Sequence, residues 1–328
     1  MHKNAAHCQA ARPLRPRARP VLPGPAAGGG TNVLFPVSGV ECSPLLPVAA
    51  AFCISFLTSM GGVSGAFLLL PFQISVLGYV HPGVSATNQV FNIVACPSGV
   101  WRYWREGRLL GPLTLVMALG TLPGVFAGAL IRVTLLPDAA RFALFAALVL
   151  LYMAGRLLWD VWRSRHGAPK GARSGGNAAP CRIVTFNLRE FVFASGGENY
   201  AVSCRAVFLL SLVVGLVGGI YGIGGGAIMV PFLIAFFGLP VHAVAGASLF
   251  CTFLTSVAGV CFYSLLAPFW PQLGVRPDWL LGLLFGVGGM GGMYLGARCQ
   301  KFVSARVLKY LLAAILLFTA VRCLGQAL

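Results

Sequence analysis

Two clusters of glycine interrupt the apolar sequence: Gly61-Gly62-Val63-Ser64-Gly65 and Gly222-Ile223-Gly224-Gly225-Gly226. Glycine inside a helix costs about 1 kcal/mol relative to alanine, so such clusters mark backbone that leaves the helical path. A helix restarting after the break presents free N–H groups and a positive dipole end. That end binds anions without a charged side chain. Small polar residues follow each cluster, Ser85, Thr87, Asn88, Gln89 and Asn92 in one case, Ser248, Thr252, Thr255 and Ser256 in the other. Asn88 and Asn92 share a helix face, as do Ser248 and Thr252. The chemistry this permits is recognition of a small anion by backbone N–H groups and neutral side chains. The candidate substrate-binding residues are Gly62, Ser64, Gly65, Asn88, Asn92, Gly222, Gly224, Gly225, Gly226, Ser248 and Thr252. The competing reading is helix packing, in which small residues let backbones approach and hydroxyls bond across helices. Gly120, Gly124 and Gly128 are read that way.

Other chemistries lack their residues. No Lys-Ser or Lys-Thr follows Gly226, so the glycine run is not a nucleotide loop, and transport must run on a gradient or by facilitation. There is no H-E-x-x-H and no G-x-S-x-G, so the chain is not read as an enzyme. The ten cysteines include no C-x-x-C pair. Cys53, Cys96, Cys251, Cys261 and Cys323 fall in apolar runs, where cysteine behaves as a small hydrophobe; no metal site, cofactor or disulfide framework is expected. The acids, Glu41, Asp138 and Asp278 among them, lie at segment ends or in links. His81 and His242 follow short segments and could titrate near neutral pH; an interfacial place is the plainer assignment.

The elements that must hold these residues are membrane helices. The chain is 58% hydrophobic and only 9% charged, against roughly 25% charged in soluble domains, and its mean hydropathy is +0.84. A soluble fold of this size could not hide so much apolar surface. The net charge of +17 sits at segment ends and in two polar stretches, which is topology-setting charge; nucleic acid is not an expected partner. Residues 1–43 read as a disordered basic, proline-rich tail without the apolar core of a secretory signal. Residues 44–162 hold a first membrane repeat, 163–203 a polar cytoplasmic linker, and 204–328 a second repeat. The fold class is an all-α polytopic membrane protein with roughly eight to ten transmembrane segments of about 20 residues each.

The repeat is visible in the residues. At an offset of 160, Gly62, Gly65, Pro71, Phe72, Ile74, Gly78, Val84, Gly99, Val100 and Tyr103 meet identical residues, ten identities over 42 positions. Asn88 meets Ser248 and Asn92 meets Thr252. Further on, Gly120, Gly124 and Gly128 meet Gly288, Gly292 and Gly296 at an offset of 168. Basic residues alternate between the halves. Arg102, Arg105 and Arg108 follow the third apolar segment of the first half, whereas the matching link of the second has only Arg276. The next link carries Arg298, Lys301, Arg306 and Lys309 in the second half against Arg132 and Arg141 in the first. The positive-inside rule then predicts opposite orientations, the inverted repeat common among secondary transporters. The short segments at 66–78 and 227–237 are either spanning or re-entrant.

These residues carry a resemblance to the TauE/SafE family of sulfite and sulfonate exporters. It rests on Gly218-Gly219-Ile220-Tyr221-Gly222-Ile223-Gly224-Gly225-Gly226 with Pro231, on Gly238-Leu239-Pro240 leading into Ala245-Gly246-Ala247-Ser248-Leu249, and on Gly288, Gly292, Gly296 and Ala297. It covers about residues 45–325. The second half is the closer match; in the first, Gly61-Gly62-Val63-Ser64-Gly65 replaces a fuller glycine run, and Asn88 stands where the family usually has a small hydroxyl residue. The resemblance implies a multi-pass secondary carrier of the bacterial inner membrane that exports a small anion of the sulfite or organosulfonate class. The implied partners are that anion and membrane lipid. The alternatives are a carrier of another small solute or a metal, and a membrane assembly subunit that transports nothing.

Overall fold

The computed structural model describes residues 32–60, 64–107, 109–165, 181–187, 189–195, 197–299 and 305–327. Gly62 and most of the basic tail lie outside them. Among the described residues each half contains five α-helices. The first half has α1 (Leu45–Met60), α2 (Ala66–Ser75), α3 (Gly83–Arg105), α4 (Gly111–Thr134) and α5 (Ala139–Arg165). The second has α6 (Cys204–Tyr221), α7 (Gly225–Phe237), α8 (Val241–Leu266), α9 (Trp279–Cys299) and α10 (Ala305–Ala327). Among the described residues five helical stretches are long and apolar enough to cross a bilayer: Gly111–Thr134, Ala139–Trp159, Cys204–Tyr221, Ala243–Phe269 and Trp279–Gly296. Each keeps a lipid-facing side, as Leu115, Leu119, Phe126 and Leu130 do on α4.

α3 is long but polar. It is covered by α8 and α9, and Ser85, Thr87, Asn88, Gln89 and Asn92 are all fully buried on it. A central helix can be polar because its neighbours, not lipid, surround it.

The helices pair mainly across the halves. α4 packs along α6 and α1 along α9; α3 meets α9 and α4 meets α8; α3 meets α8, and α5 meets α10. This set of pairs is unchanged when the halves are exchanged. The close contacts repeat in detail. A β-carbon on Gly120, Gly124 or Gly128 would run into the carbonyls of Phe208, Leu212 and Leu216. One on Gly288, Gly292 or Gly296 would run into those of Val48, Phe52 and Phe56, the residues 160 positions earlier. Both glycine rows let two backbones touch.

Among the described residues two small sheets accompany the helices. Strands β1 (Val33–Phe35) and β2 (Val40–Cys42) form an antiparallel hairpin in a stretch expected to be disordered. It is held because Phe35 is fully buried and Ser38 bonds the main body: its N–H and Oγ–H donate to Asp278 Oδ2 at 3.0 and 2.8 Å. Strands β3 (Arg182–Phe186), β4 (Glu190–Ser195) and β5 (Glu198–Ser203) form an antiparallel meander within the stretch read as a polar linker. Its reason is local: β4 alternates buried and less buried residues, the period of a half-buried strand. Phe191 and Val202 pack near the start of α4 and α6, beside Pro112, Leu113 and Val207.

Candidate functional site

The second glycine break is a tight turn between α6 and α7. Gly222 ends α6 in the left-handed region at φ 78°, with its N–H and that of Ile223 both donating to the Gly218 carbonyl, a common helix ending. Gly224 follows at φ 71°. Both positions favour glycine on backbone grounds, and Gly222 also lies so close to Ser85 that a β-carbon would sit 2.5 Å from its Cα.

The two breaks meet through α3. Asn88 donates from Nδ2 to the carbonyls of Ala66, at 2.9 Å, and Gly222, at 3.1 Å. One turn on, Asn92 donates to the Ile223 carbonyl at 3.0 Å and accepts from Ser64 Oγ at 2.8 Å. One face of α3 therefore reaches the start of α2 and pairs the Gly222 and Ile223 carbonyls that lie past the end of α6. Ser85 Oγ donates to the Ile220 carbonyl at 3.1 Å, Tyr221 to that of Phe67 at 3.1 Å and Tyr263 to that of Gly219 at 3.0 Å.

The second-half candidates line the opposite wall. The Gly225 N–H, expected to face a ligand, donates to Thr255 Oγ1 at 3.2 Å. A β-carbon on Gly226 would strike the Ser248 carbonyl and approach Thr252 Oγ1 to 2.5 Å. One on Gly225 would lie 2.5 Å from Thr121 Cγ2. Gly65 is likewise close to Ser55 Oγ, at 2.8 Å. Ser64, Gly65, Asn88, Asn92, Gly222, Gly224, Gly225, Gly226, Ser248 and Thr252 thus surround one buried polar seam where α2, α3, α7 and α8 meet, and the seam is closed in this conformation.

Several residues here were not among the sequence candidates. Arg132 was read as an interfacial topology charge, yet it is fully buried. It donates to the Leu136 carbonyl and, at 3.5 Å, to that of Val80, and its guanidinium lies 3.7 Å from the centre of the Phe142 ring. Its Nε has no partner, and among the described residues the recorded ion pair is Arg102–Glu106, not one with Arg132. Burial raises the nearby Tyr79 phenol, which stays neutral and supplies no counter-charge. Arg132 lies one helical turn beyond Gly128, and the Phe142 ring it covers is 6.5 Å from that of Tyr221, the last residue of α6. The signal was present: Arg132 interrupts an apolar run that continues through Val133, Leu135 and Leu136.

Among the described residues Asp278 is the other buried charge, and its role is structural. Its Oδ1 accepts from the Leu281 N–H at 3.1 Å, capping α9. Its Oδ2 holds Ser38, and its N–H donates to Thr87 Oγ1 at 2.9 Å.

Helices long and apolar enough to cross a bilayer, packed around a buried polar seam between two helix breaks, define a polytopic membrane protein. The chain belongs to the family described as sulfite exporter TauE/SafE, which it matches over residues 47–323. It is 28% identical over 123 residues to "Probable membrane transporter protein YunE" of Bacillus subtilis (strain 168), 37% of this chain and 42% of that protein. It is 28% identical over 115 residues to "Probable membrane transporter protein YdhB" of the same organism, 35% of this chain and 44% of that one. The matched stretches thus span less than half the length of either relative. No solved structure matches.

Proposed function

We propose that the protein is a secondary carrier that exports a small anion, of the sulfite or organosulfonate class, across a bacterial inner membrane, and that the seam between the two glycine breaks is its path. The observation that carries the anion is Arg132. A buried cation without a counter-ion costs several kcal/mol in a low-dielectric interior, and an ionisable residue inside a membrane protein is a functional candidate by default. An anionic substrate arriving beside the α6 end would offset that cost. The family description supports the chemical class, and the missing nucleotide loop supports gradient-driven movement. The inverted arrangement of the halves, favoured by their charge pattern and exchangeable packing, would give alternating access around a fixed site.

The test is efflux of sulfite and of simple alkanesulfonates from liposomes containing the purified protein. The wild type should accelerate efflux over protein-free liposomes. Arg132→Gln should lower the rate at least tenfold at equal protein in the membrane, and Arg132→Lys should fall between. A wild type that accelerates none of these anions removes the anion reading. Wild-type rates in Arg132→Gln remove the role of Arg132.

A further inference from the structure

Exchanging the halves exchanges partners as well as residues. A β-carbon on Gly99 would sit 3.0 Å from Leu249 Cδ1. Its counterpart 160 positions on, Gly259, faces Gln89, whose own counterpart is Leu249: a β-carbon there would run into the Gln89 carboxamide, 2.6 Å from Cδ. One geometry is therefore built twice, with leucine in one copy and glutamine in the other.

The leucine copy shows that an apolar side chain fits this place. The glutamine copy is fully buried, and neither Oε1 nor Nε2 has a hydrogen-bond partner. Burying an amide unpaired is costly, and replacing it by an apolar group of similar shape is commonly neutral or stabilising. Ser256, three residues before Gly259 and so on the same face of α8, is also fully buried with an unpaired Oγ. That Oγ is 3.0 Å from where a β-carbon on Gly224 would stand, so this unpaired hydroxyl borders the second glycine break.

We propose that Gln89 binds the transported anion when α3 parts from α8, with Ser256 as its neighbour on the facing helix. The assignment rests on the anion-carrier reading above. Nε2–H donates to an anionic oxygen, and Oε1 accepts from an O–H or N–H on the same ligand. The ligand class is thereby narrowed to a small sulfur oxyanion that carries a proton donor, such as hydrogensulfite or a hydroxy- or aminosulfonate. A site built to pair a substrate hydroxyl rejects the analogue that lacks it, so the carrier should discriminate between such pairs.

The test compares 2-hydroxyethanesulfonate with ethanesulfonate, which differ by that hydroxyl, in wild type, Gln89→Leu and Gln89→Met. Efflux from liposomes and melting temperature in detergent are both measured. The wild type should prefer the hydroxylated anion at least tenfold. Gln89→Leu, which copies the other half, should melt at the same or a higher temperature and lose the preference. A folded Gln89→Leu that keeps both rate and preference overturns the proposal, as does a wild type that carries both sulfonates equally. Failure of both variants to accumulate assigns Gln89 to the fold and also overturns it. A wild type that carries no anion at all instead overturns the underlying carrier reading.

Discussion

Asn92 in the first half donates to the carbonyl of Ile223 in the second at 3.0 Å, across 131 positions of sequence. The same side chain accepts from Ser64 at 2.8 Å, so one carboxamide ties both interrupted helices together. Asn92→Leu keeps the size and removes both bonds, leaving a buried carbonyl and a buried hydroxyl to find other partners. The expected cost is about 1–3 kcal/mol for each group left unpaired, read as a lower melting temperature in detergent, together with reduced efflux. Unchanged melting and unchanged efflux would show that the bridge is dispensable.

Gly225 and Thr121 should behave as a coupled pair. A side chain on Gly225 meets Thr121 Cγ2 and Cβ, so Gly225→Ala alone should fail by overpacking, typically about 1–3 kcal/mol. Thr121→Gly removes the obstructing atoms. The double variant should therefore be more stable than the sum of the singles, with a coupling of about 0.5–3 kcal/mol. Additive losses in a melting series would place the obstruction elsewhere.

The two glycine rows make a matched prediction. Gly120→Ala and Gly288→Ala each push a methyl group into the backbone of the facing helix. Both should reduce the amount of folded protein and its melting temperature to a similar extent, without changing which anion is preferred. A change of preference in either variant would move that row from packing to recognition.

Asp278 joins the N-terminal hairpin, α3 and α9. Asp278→Ala removes the cap of α9 and the acceptor for Ser38; cap loss alone costs about 0.5–2 kcal/mol. Melting should fall while the efflux of surviving protein keeps its anion preference. Melting equal to wild type would contradict the latch.

Orientation is open to labelling. The linker carries Arg163, Arg165, Lys170, Arg173, Arg182 and Arg189, from which the positive-inside rule predicts a cytoplasmic position. A Gly175→Cys variant in a background stripped of the native cysteines should resist an impermeant thiol reagent added to intact cells and react once the membrane is opened. Reaction in intact cells would reverse the assignment.

Membrane class, helix positions and the glycine breaks were legible because lipid imposes a length and a polarity on whole segments. Contacts across the halves were not. Nothing local tells Gly128 that it faces Leu216, or Asn88 that its partners are Ala66 and Gly222. Arg132 and Asp278 were misread for the same reason: both stand near segment ends, where charge is ordinary, and only tertiary packing covers them. The two hairpin strands at 33–35 and 40–42 are too short to raise a periodic signal, whereas the period-two run Phe191, Phe193 and Ser195 beside a glycine turn could have marked the sheet. Gln89 was visible as a polar residue in an apolar stretch; its lack of partners was not.

The glycine rows also constrain how the molecule is made. A ribosome delivers α4 and its bare glycine face long before α6 exists to cover it, and α1 waits longer still for α9. α4 and α5, the first-half helices long and apolar enough to span, can therefore enter the bilayer as stable rods before their principal neighbours exist. Tertiary structure arrives late, when the second five thread in between. A chain stopped at the linker would be inserted yet unfinished, a natural substrate for membrane proteolysis. Two separately expressed halves carry complementary faces and should find one another.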